Sequence, residues 1–121
     1  ESRVCVEVCL TSICTAARVP SYAEHPLRKM LAAGVSVALS SDNITLSGDP
    51  AVAGRYPLFE ESSYGYPSGE VAHMVSDLGC TWAEVRAVLM HGARATFANE
   101  EGFVAEYEKQ LDTALKKAEV A

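Results

Sequence analysis

Basic residues are scarce in this sequence: Lys and Arg total 10 against 16 Asp and Glu, a net charge of −6 at neutral pH. The basic footprint of a nucleic-acid or anionic-membrane binder is therefore missing, and neither partner is expected. No apolar stretch approaches the roughly 18 residues that a membrane-crossing helix needs. There is no initiator Met, and Glu1-Ser2-Arg3 run straight into an apolar alternation, with no charged region, apolar core and cleavage site of a secretion signal. The expectation is a soluble, cytoplasmic chain that starts inside a strand, as a fragment, a cleaved product or an incomplete chain would. Charge runs, low-complexity tracts and internal repeats are also missing. Histidine is limited to His25, His73 and His91, with no H-x-H or H-x-E pair. They read as a helix-start residue, a helix-face residue and part of a terminal bend, not as metal ligands.

The four cysteines, Cys5, Cys9, Cys14 and Cys80, lack the C-x2-C pairs of structural zinc and the usual iron–sulfur runs. A thiolate cluster is the alternative reading of Cys5, Cys9 and Cys14. Buried thiols fit better, because Cys5 and Cys9 would share one face of a strand as small hydrophobes. Disulfides are not expected without a secretion signal.

What is present suits one packed domain: 121 residues, 49% of them apolar. Val4, Val6 and Val8 alternate with Cys5, Glu7 and Cys9, a short β-branched strand. Leu10 to Ser21, rich in Thr, Ser and Pro, reads as a loop. Ala23 to Ala33 reads as a helix with Leu27, Met30 and Leu31 inward, closed by Gly34. Val35, Val37 and Leu39 form a second strand, followed by the polar tract Ser40-Ser41-Asp42-Asn43. Gly48 to Pro67 is expected to be a long surface excursion. Ser68 can cap a helix carrying Val71, Met74, Val75 and Leu78, which Gly79 ends. Thr81-Trp82-Ala83-Glu84 is a capping-box pattern opening a helix with Val85, Val88 and Leu89 on one face. Gly92 to Ala98 reads as a small-residue bend. A last helix runs from about Asn99 toward Lys116 and Lys117, whose charges suit its C-terminal end.

This is a βα repeat, which normally makes a parallel sheet. Two strands cannot close a barrel, which needs eight and typically about 250 residues. The chain is then either a small open α/β unit or the end of a barrel. Asp42 follows the second strand directly, where βα barrels place catalytic groups; a local turn bond is its plainer reading. Glu60-Glu61 reads as solvated loop. Trp82 with Tyr56, Tyr64 and Tyr66 could form a base-stacking platform, but no interleaved Arg and Lys support one.

Four stretches in series resemble the adenosine deaminase family. Val6-Glu7-Val8-Cys9-Leu10-Thr11-Ser12 is similar to its E-x-C-P-T-S-N segment. His25-Pro26-Leu27 through Gly34-Val35-Ser36-Val37 is similar to its next helix and strand. Ser41-Asp42-Asn43, then Ser47-Gly48, resembles the tract after the last barrel strand. Asp77-Leu78-Gly79-Cys80-Thr81, then Gly92-Ala93-Arg94-Ala95-Thr96-Phe97, resembles the family's end. The resemblance implies an α/β fold made of the last two βα units and the C-terminal helices of a (β/α)8 TIM-type barrel, residues 1–121 being the C-terminal part and 48–67 a long surface insertion.

It also implies zinc as cofactor, a purine nucleoside or related small molecule as substrate, and hydrolysis of a 6-amino group to ammonia. Asp42 matches a metal-binding, catalytic Asp that accepts a hydrogen bond from the attacking water. Asn43 matches a purine contact at the ring N7, and Ser12 a supporting serine, although an ordinary strand-end hydroxyl explains Ser12 equally well. Leu10 stands where Pro is usual, Ile13 where Asn is usual, and His91 where Asn is common. The His ligands and the Glu proton shuttle have no counterpart here, so the site would need the upstream part of the same barrel or a partner chain. The alternative is a non-catalytic, barrel-derived structural or binding subunit.

Overall fold

The computed structural model describes residues 4–16, 18–42, 67–97 and 101–120. Two four-residue strands, β1 (Cys5–Val8) and β2 (Ser36–Leu39), pair in parallel with Val6 opposite Val37 and Val8 opposite Leu39. The Ser40 N–H donates to the Val8 carbonyl at 2.9 Å and carries the ladder one rung beyond β2. Parallel pairing requires a crossover. It is made by α1 (Leu10–Thr15), a 3-10 turn at Tyr22–Glu24 and α2 (Leu27–Ala32).

The expected helix over Ala23 to Ala33 thus divides around His25 and Pro26. The residue before a proline is pushed out of the helical region, and His25 is extended at φ −64°, ψ 135°. Its ring takes over the start of α2, with Nδ1 accepting the Leu27 N–H at 3.1 Å. Burial lowers the His25 pKa, consistent with a neutral ring that can accept. At the other end Gly34 adopts φ +74°, and the N–H groups of Gly34 and Val35 return to Leu31 and Met30, the expected glycine stop.

After β2 come α3 (Pro67–Ser76), α4 (Trp82–Ala95) and α5 (Phe103–Val120). Pro67 opens α3, one residue before the expected cap; the rest of the expected excursion, including Glu60, Glu61, Tyr56, Tyr64 and Tyr66, lies outside the described residues. The capping box of α4 is complete. Thr81 Oγ1 accepts the Glu84 N–H at 3.2 Å, and Glu84 accepts the Thr81 N–H at 2.8 Å. The bend expected from Gly92 is instead helix up to Ala95. Gly92 faces the sheet, where a Cβ on it would lie in ordinary contact with Ala38 Cβ at 3.5 Å.

One apolar core joins the sheet to α1–α4 through Val8, Leu10, Leu27, Val37, Met74, Val85 and Val88. Cys14 and Cys80 are buried in it as expected, whereas Cys5 and Cys9 are only half-buried; all four thiols are free. Among the described residues no helix is long and apolar enough to cross a membrane.

Along a strand, successive N–H groups face opposite edges. Ser40 donates toward β1, so the Val37 N–H points to the outer edge of β2. There His91 Nδ1 accepts it at 3.2 Å. His91 is therefore a helical residue of α4 that closes a sheet edge, not part of a bend. The side of β1 is more open: Val4 is 78% and Val6 36% exposed.

Candidate active site at the strand ends

Because the strands are parallel, both C-terminal ends lie at one side of the sheet. Ser12, in the first turn of α1, and Asp42, three residues past β2, meet there. Ser12 Oγ donates to Asp42 Oδ2 at 2.6 Å, the short contact of a hydroxyl with a carboxylate. Asp42 is exposed and holds φ +53°. Asp enters this left-handed region more readily than most non-glycine residues, and its side chain reaches Ser12 on α1. Asn43 lies outside the described residues. Cys9, at the start of α1, has its thiol pushed up by partial burial, against a lowering hydrogen bond with Ser40, so it is a neutral thiol beside the site.

The stretch expected as a loop after β1 is helical, and the cause lies elsewhere in the chain. Cys9 makes no side-chain cap bond to α1. Glu70, on α3, supplies the acceptors instead. Its Oε2 accepts the Leu10 N–H at 2.7 Å, and its Oε1 the Thr11 N–H at 3.2 Å. Glu70 is fully buried at 0% exposure. Burial raises its pKa, opposed by hydrogen bonds from the Thr11 side chain and the Thr11 and Leu10 backbone. A Pro at position 10 would bring no N–H to satisfy; Leu10 brings one, and Glu70 takes it.

A second polar layer lies beneath. The Tyr22 hydroxyl donates to Thr11 Oγ1 at 3.4 Å, and burial pushes its pKa to about 12. The Tyr22 ring stacks on His73 at a centroid distance of 3.8 Å and 11° between planes. His73 Nδ1 lies 2.8 Å from Asp77 Oδ2. Burial pushes the Asp77 carboxyl up, but its hydrogen bonds with His73 and Ser76 prevail and hold it below its usual range. His73 is thus on a helix face as expected, but that face is interior.

Nothing in the sequence reading singled out Glu70. The usable signal was its phase: Glu70, Met74 and Leu78 recur every four residues, so an acid sits on the inward stripe of α3.

Among the described residues no three His, Cys, Asp or Glu side chains converge as a metal would require. The donor set fits a metal only as a contributor of one ligand: Asp42, an exposed carboxylate with one oxygen fixed by Ser12. A hollow of about 780 Å3 between the sheet and the last two helices, lined by Glu7, Ala38, Val88, Phe103 and Tyr107, includes neither Ser12 nor Asp42.

These features define an α/β chain with its polar site at the carboxyl ends of parallel strands. The adenosine deaminase family model matches residues 1–102, and the chain belongs to that family. It is 28% identical over 111 residues to an adenosine deaminase of Clostridium kluyveri, covering 92% of this chain and 27% of that protein. It is 30% identical over 100 residues to an adenosine deaminase of Proteus mirabilis, covering 83% of this chain and 25% of that protein. The chain therefore spans about a quarter of the length of the curated relatives it matches. No solved structure matches it significantly.

Proposed function

We propose that this chain is the C-terminal part of a zinc-dependent deaminase that hydrolyses the 6-amino group of an adenine compound and releases ammonia. Residues 1–121 would supply the last two βα units and C-terminal helices of a (β/α)8 barrel, with 48–67 a surface insertion near its mouth. The carrying observation is the 2.6 Å contact between Ser12 and Asp42 across the ends of adjacent parallel strands, the side on which barrel enzymes assemble their sites. Asp42 would hold the metal through its carboxylate and accept a hydrogen bond from the attacking water, while the Ser12 hydroxyl fixes one of its oxygens. Zinc, when bound, supplies a water that ionises near neutral pH. Asn43 would donate its amide N–H to the ring N7 of the purine, a donation that needs no protonated carboxyl. The remaining ligands and the proton shuttle would come from the upstream part of the barrel or from a partner chain, in the cytoplasm.

One observation favours a second reading, a barrel-derived structural or binding subunit without catalysis. His91 occupies the outer edge of β2 at Val37, where a closed barrel needs a neighbouring strand.

Metal content and deamination rate of the complete protein separate the two. Asp42→Ala should lose both, by more than the roughly 10–100-fold typical of a supporting residue's loss. Asn43→Ala should keep its metal and lose about 2–13-fold in kcat/KM, the worth of one neutral hydrogen bond. Full metal and full rate in Asp42→Ala would leave the subunit reading in place.

A further inference from the structure

The site depends on a short helix whose own sequence does not start it. Leu10 and Thr11 direct their N–H groups at Glu70, at 2.7 and 3.2 Å, and the next residue, Ser12, holds Asp42 at 2.6 Å. Glu70 is fully buried. A carboxylate in that position serves neither solubility nor a surface ion pair, and burying one is costly unless its hydrogen bonds are made. Among the described residues, its oxygens accept from Leu10 and Thr11. The contacts therefore run in one line, from α3 through the first turn of α1 to the residue beyond β2.

We propose that Glu70 is a positioning residue: its carboxylate pins the first turn of α1 and so sets where Ser12 holds Asp42. The proposal rests on the reading of Asp42 as a metal ligand. Glu70 touches neither substrate nor metal and acts through Ser12. Gln at position 70 keeps the volume but replaces one acceptor oxygen by an N–H2 that cannot take the Leu10 or Thr11 proton. The first turn of α1 then shifts, and a displacement of about 1 Å near reacting groups can cost on the order of 100-fold in rate.

The test uses the complete deaminase and four variants: Asp42→Ala, Ser12→Ala, Glu70→Gln and the Ser12→Ala/Glu70→Gln double variant. Each is read for bound zinc per chain, zinc affinity against a chelator, kcat, KM and thermal midpoint. Glu70→Gln and Ser12→Ala should each lower kcat and zinc affinity by about 10–100-fold, the usual effect of losing support behind a ligand, with little change in KM. The double variant should be no slower than Ser12→Ala alone, because the effect of Glu70 passes through that hydroxyl.

A lower thermal midpoint with unchanged kcat in Glu70→Gln overturns the proposal. So does a double variant whose loss is the product of the two single losses. Asp42→Ala keeps the two ideas apart: if it retains zinc and rate, the metal reading itself fails, whereas if it loses both while Glu70→Gln is fully active, only the positioning role fails. Should Glu70→Gln not yield folded protein, Glu70→Asp, which keeps the charge one methylene shorter, is compared with Ser12→Ala in the same way.

Discussion

Glu70 and Arg86 are charged residues on helices that both pack against β2, and they are held in opposite ways. Glu70 is fully buried and accepts backbone N–H groups 59 and 60 residues away. The Arg86 side chain is 36% exposed and forms ion pairs with Glu108 at 2.6 Å and Asp112 at 2.7 Å on the neighbouring α5. Those hydrogen bonds raise the Arg86 pKa and lower that of Asp112, yet all three groups remain in reach of water and salt. The buried acid accepts the first N–H groups of a helix that has no side-chain cap of its own; the exposed cluster joins α4, which has its own capping box, to α5. A charged residue carries structural weight when it is desolvated and is the sole supplier of partners. Proximity to an opposite charge is not enough.

The contrast can be broken most directly by truncation. Glu70→Ala leaves the Leu10 and Thr11 N–H groups buried without their acceptors, at about 1–3 kcal/mol each. The complete protein should therefore show a clear fall in its denaturation midpoint, and a variant as stable as wild type would remove the special status of this contact. Thr81→Ala tests a cap legible from local sequence and should cost about 1 kcal/mol, read from the same denaturation curves.

The sign of the pH dependence sharpens the comparison further. Burial raises the Glu70 pKa above the ordinary 4.5, so the stability tied to its protonated form is fully present below 4.5 and is lost as pH rises through the folded value. Hydrogen bonding from the Thr81 backbone lowers the Glu84 pKa, so its contribution is present above 4.5 and is lost as pH falls. Relative to Glu70→Gln, wild type should lose stability as pH rises from 4; relative to Glu84→Gln, it should gain. Curves of the same sign for both would contradict the buried-versus-exposed distinction. The smallest effect belongs to Arg86→Ala, a slight loss at low ionic strength that about 1 M salt abolishes. A loss that survives such salt would show that packing of the Arg86 stem, not its charge, joins α4 to α5.

Much of the fold was legible because its signals are local. The β-branched alternation around Val6 and Val8 made β1, and that around Val37 made β2. Gly34 closed α2 and Thr81 with Glu84 opened α4, since a cap and its partner lie within a few residues of each other. The motif series from Glu7 to Phe97 placed the chain in the adenosine deaminase family.

What escaped was non-local. Leu10 to Thr15 reads as loop because its helix-starting acceptor arrives 60 residues later, on α3. His91 reads as part of a bend because nothing near it in sequence reveals the unpaired Val37 N–H that it meets. The sequence could nominate Ser12 and Asp42 separately, from motif and from position after a strand. Only the parallel register of β1 and β2 decided that their side chains touch. The physical reason is common to all three: a cap or strand propensity is set by a residue and its neighbours along the chain. The partner of a buried or cross-strand polar group is set by which segments the core brings together.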